Sequence, residues 1–77
     1  MTLSIETLKK CAVGQVHAGR WEEIKDGDFV DGFAPMIDEA YVTDPETDKH
    51  VFETQEEAIA GAERFQAKVR DHLVAIS

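Results

Sequence analysis

The sequence lacks the cysteine pairs that cross-link secreted domains and the long apolar segments that anchor membrane proteins. Its 77 residues contain one cysteine, Cys11, so no disulfide within the chain can stabilise the fold. The N-terminus has no basic cluster followed by an apolar run, and no stretch approaches the ~20 apolar residues that span a bilayer. These absences predict one domain over residues 1–77 that works in a reducing cytoplasm, away from membranes.

Spacings typical of metal and cofactor sites are also missing. Cys11 and the three histidines are scattered singly, without the CxxC or HxxxH pattern that favours zinc. The acidic stretches that begin at Asp26 and Asp44 lack the glycine and the final glutamate of a calcium loop. No GxxxxGK[ST] phosphate loop is present. Spacing alone does not exclude a Ser–His–Asp or Cys–His site, but we expect no cofactor, no metal and no catalytic residues.

Negative charge is abundant and is concentrated in the middle of the chain. Sixteen acidic residues against eight basic ones give a net charge of −8. Residues 22–57 hold 13 acids and two bases, a local sum of −11, whereas the rest of the chain sums to +3. Such a field repels nucleic acid and anionic membranes and attracts basic protein surfaces. Solubility is the simpler explanation of an acidic surface and stays open.

Both ends of the chain are predicted to be helical. Ser4 or Thr2 is suited to cap a first helix, which should end between residues 13 and 18. Its apolar residues recur at spacings of three and four, at Ile5, Leu8, Ala12 and Val16. Thr54 and Glu57 have the spacing of a capping box at the start of a long last helix. The apolar stripe of that helix comprises Ile59, Ala62, Phe65, Val69, Leu73 and Ile76.

The middle of the chain is predicted to form two or three strands. Residues 21–24 and 29–34 are candidates on either side of a glycine turn, and Pro35 argues against the second being a central strand. Residues 40–43 and 50–52 are expected to pair as a hairpin around an Asp-Pro turn. The order indicates an α+β fold, α-β-β-β-α, with a small antiparallel sheet covered on one face by both helices.

The last helix resembles that of a known family. Its residues 54–62 read Thr-Gln-Glu-Glu-Ala-Ile-Ala-Gly-Ala, and residues 68–76 read Lys-Val-Arg-Asp-His-Leu-Val-Ala-Ile. In these runs, about a third of the chain, the sequence resembles the small phage-encoded inhibitors of type I-F CRISPR systems. The resemblance implies an anti-CRISPR protein that binds a type I CRISPR surveillance complex stoichiometrically and blocks target-DNA binding, or the conformational change that follows it. It implies no shared catalytic residues.

The acidic middle supplies the candidate contacts for such a partner. Carboxylates spaced along a sheet can imitate the phosphates of DNA, and aromatic residues among them can anchor a partner. The predicted partner-binding residues are Trp21, Glu22, Glu23, Asp26, Asp28, Asp31, Asp38, Glu39 and Tyr41. The alternative hypothesis is a small acidic accessory protein of a phage or bacterium, a monomer or a homodimer built on its helices. An enzyme is the least favoured interpretation.

Overall fold

The computed structural model describes residues 4–76 and confirms the predicted α+β fold. Helix α1, Ile5–Val13, is followed by strands β1, Val16–Lys25, β2, Asp28–Ile37, and β3, Ala40–Tyr41. Helix α2, Gln55–Ile76, completes the order. The strands form one antiparallel sheet in the order β1-β2-β3. No helix in the described part of the chain is long and apolar enough to cross a membrane.

Helix α1 begins and ends within the limits that the sequence predicts. Ser4 is the cap, because its hydroxyl oxygen accepts a hydrogen bond from the Thr7 backbone N–H at 3.2 Å. Thr2, the other predicted cap, lies outside the described residues. The helix stops at Gly14, where a Cβ would lie 2.5 Å from the Ile37 side chain. Val16, predicted on the helix stripe, instead begins β1.

Strands β1 and β2 form a hairpin of ten residues on ten. The register runs from Val16 opposite Ile37 to Lys25 opposite Asp28. The connecting residues Asp26 and Gly27 both have positive φ, 54° and 82°, as a type I′ turn requires. Both strands are longer than predicted, because pairing across the whole hairpin extends them beyond the short β-prone runs.

The prediction that Pro35 would keep β2 from being a central strand is wrong. Strand β2 lies between β1 and β3, and Pro35 pairs with Ala18. The Pro35 carbonyl accepts from the Val42 N–H at 2.9 Å. In an antiparallel strand the N and O of one residue point to the same neighbour, so the Pro35 nitrogen faces the β3 side. The missing donor therefore costs no bond to β1 and falls where β3 ends.

The predicted hairpin of residues 40–43 with 50–52 does not form. Ala40–Tyr41 pairs with the end of β2, and Phe52 bridges Phe33 farther along the same strand. Both runs thus lie one after the other on one edge of β2 instead of side by side. Residues 43–51 leave the sheet between them as a loop, which we call the excursion. A turn follows Asp44 as predicted, but it is wider than the predicted type I turn, because the Asp48 N–H, four residues on, donates to the Asp44 carbonyl at 2.8 Å.

Helix α2 covers one face of the sheet and supplies three of the eight buried apolar residues of the described chain, Ala58, Ala62 and Val69. Thr54 accepts the Glu57 N–H at 3.2 Å, which confirms the predicted cap. Ala62 is fully buried against Ile37 and Val42. A buried Gln66 donates to the carbonyls of Cys11 and Gly14, and Arg70 donates to that of Ala12. These bonds satisfy the last carbonyls of α1 and fix it against α2.

Candidate functional site

The two faces of the sheet have different surroundings. Val16 and Ile37 lie opposite each other and pack with Ala62 and Phe65 of α2. Side chains alternate between faces along a strand, so the odd-numbered residues of β1 from 17 to 25 point away from α2. This second face, here called the open face, comprises His17, Gly19, Trp21, Glu23, Lys25, Asp28, Val30, Gly32, Ala34, Met36 and Tyr41.

An aromatic cluster occupies the open face. The rings of Trp21 and Tyr41 meet edge to face with their centroids 5.1 Å apart. The His50 ring, from the excursion, meets Trp21 at 5.5 Å and 82°. Tyr41 is 54% exposed. The indole nitrogen of Trp21 is buried and has no hydrogen-bond partner among residues 4–76, a state that costs about 1–3 kcal/mol.

Two glycines make room for this cluster. A Cβ on Gly32 would lie 2.5 Å from the Phe52 carbonyl oxygen and 2.7 Å from Val51. A Cβ on Gly19 would clash with the Met36 sulfur. The excursion therefore lies directly against β2 and holds His50 over the sheet. Any larger residue at position 32 would push the excursion away from Trp21.

The open face combines aromatic rings with a carboxylate. Glu23 lies two residues beyond Trp21 on the same face, and its Oε1 is 3.8 Å from His50 Nε2. Rings beside a carboxylate attract cationic side chains, by cation–π contacts of about 0.5–2 kcal/mol and by charge. Trp21, Glu23 and Tyr41 are thus three predicted contact residues that the fold brings together. His50 and Met36 belong to the same surface, although neither is among the predicted contact residues.

Two of the predicted acids lie on the helix side of the sheet. Glu22 and Asp31 are directly opposite each other in the register. Arg20 reaches both, with Nη2 2.7 Å from an Asp31 oxygen and Nε 3.6 Å from a Glu22 oxygen. This ion-paired group is separated by the sheet from Trp21 and Tyr41. It therefore does not form one surface with the open face.

The remaining predicted acids lie at opposite ends of the sheet. Asp26 and Asp28 are exposed at the tip of the β1–β2 hairpin. Asp38 and Glu39 follow the other end of β2, about 33 Å away at ~3.3 Å per residue of strand. Asp38 also serves the fold, because its Oδ1 accepts the Gln15 N–H at 2.9 Å. The acids thus border the open face at both ends and do not make one continuous track.

One acid is entirely buried, and its pairing with a distant arginine has no local signal in the sequence. Asp44 is 0% exposed and accepts two hydrogen bonds from the Arg64 guanidinium, one of them from Nε at 3.0 Å. It also accepts from the Glu46 N–H and the Thr47 hydroxyl. The Arg64 hydrogen bonds outweigh the effect of burial and hold the pKa of Asp44 well below its usual range, and Asp44 in turn raises the pKa of Arg64. The local Asp-Pro-Glu-Thr pattern predicts the short-range bonds, but Arg64 is twenty residues away.

In the described part of the chain, no three side chains of His, Cys, Asp or Glu come together as ligands for a metal ion. Between α1 and the last turns of α2 lies an apolar groove. It is lined by Ile5, Lys9, Leu73, Val74 and Ile76.

The chain matches no family model, and no curated protein or solved structure is significantly similar to it.

Proposed function

We propose that this protein is a non-catalytic inhibitor that uses its open face to bind a basic protein surface. The supporting observation is the cluster of Trp21, Tyr41 and His50 beside Glu23 on a sheet face that α2 leaves uncovered. The partner we propose is a type I CRISPR surveillance complex in the cytoplasm of a bacterial host. Its choice rests on the resemblance of the last helix to phage anti-CRISPR proteins.

Aromatic anchors are needed because the acids alone bind weakly. An exposed ion pair contributes about 0–1 kcal/mol, and salt screens it. Tryptophan and tyrosine are the residues that most often contribute 2 kcal/mol or more at an interface. In this proposal Trp21 and Tyr41 supply affinity, whereas Glu23, Asp26 and Asp28 speed the encounter with a basic partner and set its orientation.

The size of the open face shows that more than the sheet must take part. Strands β1 and β2, each roughly 33 Å long, and the two-residue β3 lie about 4.8 Å apart and together cover on the order of 350 Å². One side of a stable interface buries about 800 Å². The excursion around His50 and the hairpin tip at residues 26–28 adjoin the open face and would supply the rest. The same surface would then occlude a basic path that target DNA follows.

Co-purification with type I surveillance complexes tests the proposal. The tagged protein is incubated with the complex, with and without target DNA, over a series of salt concentrations. We expect binding that weakens as salt rises and that target DNA displaces, because protein and DNA compete for one basic surface. Absence of binding to any type I complex would contradict the partner, and binding that ignores both salt and DNA would contradict the acidic mimicry.

Matched charge reversals locate the interface. Glu23→Lys on the open face and Tyr41→Ala beside it should each weaken binding at least tenfold, which corresponds to about 1.4 kcal/mol. Asp71→Lys makes the same change of charge on the exposed surface of α2 and should leave binding unchanged. Circular dichroism checks that each variant folds. Equal binding by all three folded variants would place the interface elsewhere.

The accessory-protein alternative is favoured by one observation, the apolar groove between the helices. Ile5 and Ile76 line it and are 53% and 50% exposed, which suits a homodimer built on its helices. Under this alternative, Ile76→Asp would convert a dimer to a monomer in light scattering. Under the inhibitor proposal, the same change would leave binding to the surveillance complex intact.

A further inference from the structure

Strand β1 is a long edge strand with one unpaired side. It is ten residues long and has β2 as its only neighbour in the sheet of the described chain. The Asp38 N–H donates to the Gln15 carbonyl, so residue 15 and, by alternation, the odd-numbered residues of β1 bond to β2. The even-numbered residues point their N–H and C=O groups outward. These residues are Val16, Ala18, Arg20, Glu22 and Ile24.

The outer side of this edge has no backbone hydrogen-bond partner in the described chain. No turn or loop within residues 4–76 hydrogen-bonds to the outer groups of β1. The strand contains no proline. Its register with β2 is one to one from Val16 to Lys25, so it has no bulge. Ile24 is 77% exposed. Proteins commonly protect a long edge by charged side chains, a proline, a bulge or a short length. Strand β1 has charges at Arg20 and Glu22 but none of the other devices. Because these two charges are of opposite sign, a second strand with the same sequence can pair with them.

We propose that two copies of the chain pair antiparallel along β1, about a two-fold axis at Trp21, to form a six-stranded sheet. The order around the axis is Arg20-Trp21-Glu22. Antiparallel pairing centred on Trp21 therefore places Arg20 of each copy opposite Glu22 of the other. It also places Ala18 opposite Ile24 twice, which covers the exposed Ile24 side chain.

The neighbouring registers are electrostatically unfavourable. The outward-facing residues are all even-numbered, so an allowed shift moves the axis from Trp21 to Arg20 or to Glu22. The first shift places Arg20 opposite Arg20, and the second places Glu22 opposite Glu22. Opposite charges across a strand pair stabilise it and like charges destabilise it. Charge complementarity thus selects one register and a second copy of this chain as the occupant of the edge.

The open face remains accessible in this dimer. A two-fold axis perpendicular to the sheet leaves both copies of α2 on one side and both open faces on the other. The Trp21 ring contacts Tyr41 and His50 and therefore leans across β2, away from the edge. Arg20 keeps its contact with Asp31 of its own chain and gains Glu22 of the second copy. The dimer would present two copies of the proposed binding site side by side.

Light scattering with two single charge reversals tests the pairing. The native chain should have twice the 8.6 kDa mass of one copy. Arg20→Glu alone brings acids together and Glu22→Arg alone brings bases together, so each variant should be monomeric. An equimolar mixture of the two should recover the dimer, because every acid then faces a base. The control Asp71→Arg, a charge reversal on the exposed surface of α2, should stay dimeric.

A backbone variant makes the test independent of charge. The Ala18 N–H points outward, so Ala18→Pro removes a donor from the edge without removing a bond to β2. We expect this variant to fold, by circular dichroism, and to be monomeric. A monomeric native chain overturns the proposal, as does a mixture of reversals that stays monomeric. A dimer that survives Ala18→Pro is built on another surface and also overturns it.

Discussion

Asp44 in the excursion and Glu23 on strand β1 are both carboxylates, yet their surroundings are opposite. Asp44 has no exposed surface and is bonded to Arg64, Thr47 and the backbone of Glu46. Glu23 keeps about a third of its side chain exposed, and its Oε1 lies 3.8 Å from Nε2 of the His50 ring. The chain thus uses acids in two ways, and only the first contributes to holding the fold.

Acids of the same segment have two different roles, since Asp44 holds the fold together and the acids around the open face are exposed to a partner. The Asp44–Arg64 pair ties the excursion to α2, and the excursion in turn places His50 against Trp21. The buried acid therefore positions the open face without lying on it. The acids around the open face have few protein partners, so their charge is available to another molecule. Net charge alone does not distinguish these two roles, because both groups count equally in the total of −8.

Removing the buried charge should have the largest effect on stability. Asp44→Asn leaves the Arg64 guanidinium without its carboxylate, and breaking a buried pair costs about 3–5 kcal/mol. Arg64 is about a third exposed, so we expect the lower end, about 3 kcal/mol, from urea unfolding. The control Glu46→Gln changes an exposed neighbour of the same guanidinium and should cost under about 0.5 kcal/mol. Equal losses in the two variants would remove the distinction between buried and exposed acids.

The same pair predicts how stability depends on pH. Because the folded-state pKa of Asp44 lies below its ordinary value of 3.8, the unfolded chain binds a proton that the folded chain does not. The stabilisation is complete above pH 3.8 and is lost as pH falls below it, by up to about 1.4 kcal/mol per pH unit. Unfolding of the native chain and of Asp44→Asn should be measured from pH 6 to pH 2. A variant with the same slope as the native chain below pH 4 would contradict the role of Asp44.

Local patterns in the sequence predicted the order of elements well. The cap at Ser4, the capping box at Thr54 and the turn at Gly27 depend on neighbours within a few residues. The two wrong predictions depend on distant partners. Pro35 is tolerated because of which side of β2 its nitrogen faces, and the predicted hairpin is replaced by pairing of both runs with β2. Neither fact has a local signal.

The sequence predicts which kinds of residue form the candidate site, but not which of them lie on the same face of the sheet. Trp21, Glu23 and Tyr41 were singled out by composition, and the register places them on one face. Glu22 lies on the other face because side chains alternate along a strand, so one residue of shift decides the outcome. His50 reaches Trp21 only because the excursion folds back over Gly32. Such juxtapositions follow from the register and from packing, which no short pattern contains.

The acids around the open face should have the smallest effect on the stability of the fold. Neutralising two acids around the open face, in the double variant Glu23→Gln and Asp28→Asn, should change the free energy of unfolding by less than about 0.5 kcal/mol. Any change should be toward greater stability, because the variant lowers the self-repulsion of a chain with a net charge of −8. Urea unfolding beside Asp44→Asn measures both effects under one condition. A loss near that of Asp44→Asn would mean that the open-face acids also hold the fold, and the charge reversals used to locate the interface would then report on folding instead of binding.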